Sequence, residues 1–104
     1  MIFKSKVADI QIPETDLTSV VHARVDELGE KPALIDGPTG RTISYLELRA
    51  LTEKMSKGLH LRGFGKGDVF ATFMPNLPEY AVVFLGVASI GGVNTTVNSL
   101  YSTA

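Results

Sequence analysis

The chain has 104 residues, is 44% hydrophobic and 20% charged, and carries a formal net charge of −1. A chain of that size has room for one modest core, because it buries only about two-thirds of the surface its unfolded form exposes. The near-neutral charge gives no electrostatic ground for binding nucleic acid or an anionic membrane, and the lack of cysteine excludes disulfides, thiolate metal sites and a thiol nucleophile.

Residues 1–15 read as an irregular extended segment, with Pro13 set against a helix. The opening MIFKSKVADIQIPET has two lysines but no apolar run behind them, so it is not a secretory signal. From Asp16, the residues Leu17, Val20, Val21, Val25 and Leu28 follow helical spacing, and Gly29 sits where a C-terminal cap belongs. Ala33–Asp36 and Arg41–Ser44 flank the turn sequence Gly37–Pro38–Thr39–Gly40 and predict a β-hairpin.

Ser44 and Glu47 have the spacing of a capping box. The helix they open carries Leu48, Leu51, Met55 and Leu59 on one face and is expected to end near Arg62–Gly63. Val69–Met74 predicts a compact apolar strand. Pro75 and the pair Asn76 and Glu79 then announce a third helix, which Gly91–Gly92 ends. Val93, Thr95 and Val97 alternate with Asn94, Thr96 and Asn98, the period of a two-faced strand.

The predicted class is therefore α/β: a β-hairpin, two amphipathic helices and a βαβ unit of strand 69–74, helix 77–90 and strand 93–98, its two strands parallel. AVVFLGVASIGGV, residues 81–93, is the most apolar stretch, but Glu79 and Asn94 bound it well short of the roughly 20 apolar residues a membrane span needs. A buried helix in a soluble protein is the expectation. That helix is apolar nearly all round and wants cover on several sides, as a parallel sheet wants cover on both faces. The rest of the chain is thin material for this, so residues 16–104 are expected to be a partial domain, truncated at the C-terminus, from a larger one.

Few residues suggest chemistry. Gly63–Phe64–Gly65–Lys66–Gly67–Asp68 invites comparison with phosphate-cradling loops, but those follow a strand and open a helix. This stretch closes a helix and opens a strand, so a helix cap and tight turn with Lys66 in solvent is expected. His22 and His60 have no second metal ligand at helical spacing. Asp36 beside Gly37 reads as turn chemistry, Ser44 as a cap, and Asp26, Glu27 and Glu30 as a charged helix end. Asn94, Thr95, Thr96 and Asn98 leave two readings open: they line a crevice at the end of the βαβ unit, where open α/β sheets place ligands, or they bond to neighbouring loops.

Taken in order, KPALIDGPTGRTISYLEL and RGFGKGDVFATFMPNLPEYAVVFLGVASIGGVNTTVNSLYSTA resemble the beginning of adenylate-forming acyl-CoA and aryl-CoA ligases. The likeness is greatest to 4-coumarate–CoA ligase-like enzymes of the AMP-binding and luciferase superfamily. It rests on the hairpin, the Ser44–Tyr45 helix start, the Gly65–Lys66–Gly67–Asp68–Val69 turn, Pro75–Asn76, Gly91–Gly92 and the Asn94–Asn98 strand. The resemblance implies the N-terminal portion of the large domain of an adenylate-forming enzyme. It implies a two-step reaction: a carboxylate attacks ATP in the presence of Mg²⁺, and coenzyme A then displaces AMP to give a thioester. For a full-length relative it implies a carboxylic acid of the 4-coumarate or fatty acid type, as in phenylpropanoid or fatty acid metabolism. The family's Thr/Gly-rich phosphate loop and its lysine have no counterpart in residues 1–104, so no catalytic, cofactor-binding or metal residue is assigned. The segment alone is expected to be inactive and to bind no cofactor, its partner being the remainder of the same domain. Alternatives are a luciferase-like monooxygenase, a non-catalytic interaction module and a stand-alone nucleotide-binding βαβ protein. The family implies a cytoplasmic or peroxisomal, not secreted, protein; Ser102–Thr103–Ala104 is not the peroxisomal tripeptide.

Overall fold

The computed structural model describes residues 1–103. Its elements run α1 (Leu17–His22), α2 (Val25–Leu28), β1 (Pro32–Ile35), β2 (Thr42–Ser44), α3 (Tyr45–Leu61), β3 (Val69–Phe73), α4 (Glu79–Ser89) and β4 (Val93–Val97). β1 and β2 form the antiparallel hairpin, and β3 pairs with β4 in parallel through α4. This is the α/β architecture the periodicities predict.

Two helix starts show local chemistry at work. Asp16 caps α1 by accepting a hydrogen bond from the Ser19 amide at 2.9 Å. At α3 the capping box is complete: the Ser44 hydroxyl accepts from the Glu47 amide at 3.1 Å, and the Glu47 carboxylate accepts from the Ser44 amide at 2.8 Å. Both satisfy amides that have no partner within the helix.

Three expectations need correction. The helix predicted from Asp16 to Leu28 is broken in two: Ala23 donates its amide to Val20 three residues back, and Arg24 leaves helical geometry. The break turns Val25 into the core, where it is 1% exposed, while Val20 and Val21 stay partly in solvent. On α3 the buried positions are Leu48 and Thr52, whereas Leu51 is 37% exposed. Thr52 tolerates burial because its hydroxyl donates to the Leu48 carbonyl at 2.7 Å. Finally, Asn76 does not cap α4. Pro78 holds the N-cap position without a side-chain bond, and Glu79 reaches instead across to the hairpin.

The core lies where α3 and α4 cross and meet the hairpin: Ile43, Leu48, Val82 and Leu85, with Ala33, Leu34, Met55 and Ala81 packed against them. Gly86 makes this crossing close. A Cβ built there would stand 2.7 Å from Met55 Cγ and 2.9 Å from Met55 Cβ, nearer than real atoms approach. Gly92 plays the same part after α4, where an added Cβ would meet Phe64 Cε1 at 2.5 Å and Val87 Cγ1 at 2.8 Å. Val87 is fully buried, and Phe64 stands edge-on to Phe70, with ring centroids 6.1 Å apart.

Gly86→Ala and Gly92→Ala should each destabilise the fold by about 1–3 kcal/mol through overpacking. Gly58→Ala, where an added Cβ meets nothing within 4 Å, should be neutral or stabilising. Urea midpoints of the three variants check this ordering.

Candidate functional site

A polar cleft lies beyond the carboxyl ends of the parallel strands. It is a cleft of about 400 Å³ lined by Met74, Pro75, Asn76, Tyr80 and residues 96–100. Its position follows from topology: β3 and β4 run in the same direction, so both chains leave the sheet at one edge, beside the start of α4.

Of the four polar residues Asn94, Thr95, Thr96 and Asn98, the last of which lies just beyond β4, the structure brings two into this cleft, Thr96 and Asn98. Asn98 also closes its own turn, its side-chain oxygen accepting from the Leu100 amide at 2.9 Å. Asn94 lies on the helix side of the sheet, where its Nδ2 donates to the Phe84 carbonyl at 3.0 Å and ties β4 to α4. Its Oδ1 is buried without a protein partner. Thr95 sits on the outer face beside Val93 and Val97. Thr96 and Asn98 thus lie at the crevice, whereas Asn94 bonds to a helix and not to a neighbouring loop. Asn76 and Tyr80 complete the cleft, and no spacing in the sequence marks them.

The glycine-lysine stretch is a helix cap and turn. Gly63 and Gly67 both have φ of 85°, and the Phe64 amide returns to the Leu59 carbonyl at 3.1 Å. The donors a phosphate would need are occupied. The Gly65 amide gives its hydrogen to the Asp68 carboxylate at 2.8 Å, and the Gly67 amide to the Gly91 carbonyl at 3.0 Å. An incoming anion would have to compete with the Asp68 carboxylate for the Gly65 amide. Among the described residues there is no group of three or more His, Asp or Glu able to hold a metal ion.

The remaining charged groups serve structure. Arg41 and Glu79 form a two-pronged ion pair at 2.5 and 2.8 Å that fastens the hairpin to the start of α4. The pairing lowers the Glu79 carboxyl below its ordinary value and raises the Arg41 guanidinium. Arg49 pairs with Asp26 at 3.0 Å. Asp36 accepts from the Thr39 hydroxyl within the hairpin turn. Arg24 binds Glu27 at 2.7 Å, while Glu30 and His60 are exposed.

His22 is the exception. Its Nε2 is buried with no protein partner, in a cleft with Thr18, Arg49, Glu53 and Ser89. Burial, helped by the Arg49 charge and opposed by Glu53, holds the imidazole below its ordinary pKa of 6.5. Between the lowered value and 6.5 the unfolded chain binds a proton that the folded chain refuses, so stability falls as pH drops through that window. The urea midpoint should decline on acidification from just above pH 6.5, and His22→Gln should flatten that part of the profile. An unchanged profile in the variant would contradict this.

With the geometry in place, the comparisons fall into line. A family model described as AMP-binding enzyme matches residues 21–104. Rice 4-coumarate–CoA ligase 3 is 40% identical over 103 residues, covering 98% of this chain and 19% of its own length. Arabidopsis thaliana 4-coumarate–CoA ligase 4 is 39% identical over 106 residues, covering 97% of this chain and again 19% of its own. Among solved structures, the Mycobacterium tuberculosis fatty acyl CoA synthetase superposes with a TM-score of 0.76 at 25% identity, over 84% of this chain and 17% of that one. The N-terminal subdomain of Klebsiella oxytoca NpsA, in complex with 3-hydroxyanthranilyl-AMSN, gives a TM-score of 0.77 at 25% identity over 84% and 22%.

The chain belongs to the AMP-binding enzyme family. It spans about a fifth of the length of the curated relatives it matches, 19% in the two ligases above. No helix among the described residues is long and apolar enough to cross a membrane.

Proposed function

We propose that these residues are the N-terminal α/β portion of an ATP-dependent carboxylate–CoA ligase, with residues 16–104 contributing to its adenylate-forming domain. The observation that carries this is the 40% identity to a 4-coumarate–CoA ligase running through 98% of the chain. The matched stretch includes every element from α1 to β4. The substrate is a carboxylic acid of the aryl or fatty acid type. ATP, Mg²⁺ and coenzyme A act in the complete domain, which works in the cytoplasm or in peroxisomes.

The role of these residues is to build and brace. Adenylation needs positioned donors and a metal ion to take up charge developing on the phosphates. Here the Gly65 and Gly67 amides of the turn are already used, by Asp68 and by Gly91. What the segment supplies is a parallel strand pair held by α4, with Thr96, Asn98, Asn76 and Tyr80 at its carboxyl edge facing the remainder of the domain.

Two measurements test this together. The isolated 104-residue chain should release no pyrophosphate above a blank when given ATP, Mg²⁺ and 4-coumarate or a fatty acid. A chimera of rice 4-coumarate–CoA ligase 3, with its matching segment replaced by this chain, should release pyrophosphate on addition of an aryl carboxylate. Release by the isolated chain, or a folded but inactive chimera, would overturn the proposal.

A further inference from the structure

Helix α1 is lightly held. Thr18 is its one buried residue, while Leu17, Val20 and Val21 are 53%, 43% and 41% exposed. A hydrogen bond fastens it to α4, the Thr18 hydroxyl donating to the Leu85 carbonyl at 3.1 Å. Its far end is a joint and not a continuing helix: the Ala23 amide turns back to Val20, and Arg24 leaves helical geometry. Beyond that joint Val25 is fully buried and anchors α2. From Met1 to Ala23, Thr18 is the one buried side chain that a swing about Ala23–Arg24 would displace.

His22 closes α1, directly before the joint. The ring is partly buried, but its Nε2 is enclosed without a protein partner, at a cleft of about 400 Å³ between α1, α3 and α4. The charged groups around it are Arg49 and Glu53 of α3, and Arg49 is itself paired with Asp26 of α2 at 3.0 Å. The α4 side contributes only Ser89 and Ile90, and Asp16 at the start of α1 is engaged by Ser19.

We propose that His22 is a pH-operated latch: uptake of a proton by its imidazole releases α1, with the extended arm before it, from α3 and α4 by rotation at Ala23–Arg24, while α2 and the core stay folded. A neutral imidazole tolerates this position, whereas an imidazolium places charge on an enclosed edge, where it is costly. Glu53 attracts that charge and Arg49 repels it, so α3 gives it no net refuge. Water lies one rotation away, and few apolar contacts are lost in reaching it. The response to acid is thereby confined to one segment, which is more specific than a fall in overall stability.

Heteronuclear NMR of the 104-residue chain reads both events together. The His22 ring shifts report protonation, and the Cα shifts of residues 17–22 report whether α1 is helical; a helix this short does not hold in water once undocked. Histidine changes charge between about pH 8 and about pH 5. Across that range the α1 shifts should lose most of their helical value with the same midpoint as the His22 ring, while those of α3 and α4 hold. His22→Gln should keep α1 helical throughout, and His60→Gln should leave the transition in place.

Helical α1 shifts that persist across the range, whether or not the ring titrates, would overturn the proposal. So would an α1 already unwound at the upper pH, a transition that survives in His22→Gln, or loss of α1, α3 and α4 in one step, which is global unfolding. The comparison of ring and helix within the parent chain decides the matter even where a variant fails to fold.

Discussion

The close crossing of α3 and α4 is the constraint on which the rest of this fold hangs. It exists because Gly86 leaves no side chain between α4 and Met55, and it lets Leu85 and Val82 reach Leu48 and Ile43. The first helix, the hairpin and the last strand are also tied to α4. Thr18 of α1 donates to the Leu85 carbonyl at 3.1 Å, Arg41 of the hairpin grips Glu79 at its start, and Asn94 of β4 bonds to Phe84. Gly92 then lets the chain double back beneath Phe64 so that β4 can lie beside β3. Helix 4 is apolar nearly all round because it is a hub.

That arrangement explains the division between what is covered and what is not. Among the described residues only six apolar side chains fall in the buried core: Val25, Ile43, Leu48, Val82, Leu85 and Val87. A core of that extent leaves little surplus for the outer strands, the arm and the tail. The same deficit is what a larger enclosing domain would make good.

Most of the fold was legible in the sequence. Period-two alternation at Val93–Val97, the capping box at Ser44 and Glu47, and the glycines at 63, 67 and 91–92 each fix local geometry through short-range chemistry. The misreadings share a different cause. The break after His22, the burial of Thr52 in place of Leu51 and the engagement of Glu79 by Arg41 are all decided by contacts distant in sequence. Arg41 and Glu79 lie 38 residues apart, and nothing in local spacing announces their pairing. The cleft was half legible: Thr96 and Asn98 belong to a conspicuous polar strand, whereas Asn76 and Tyr80 join it only through the parallel pairing that sets α4 beside the strand ends. Asn94 looked equivalent to its neighbours, but its inward pleat position commits it to the helix.

The most direct test of α4 as the organising element is amide hydrogen exchange on the isolated chain, resolved by residue. The slowest amides should be those of Val82–Val87 on α4 and of the α3 turns facing them. The amides of β3 and β4 should exchange markedly faster, because one face of that pair stands open to water. Protection in β3 and β4 equal to or greater than that of α4 would show that the strand pair, and not the helix crossing, holds this fold together.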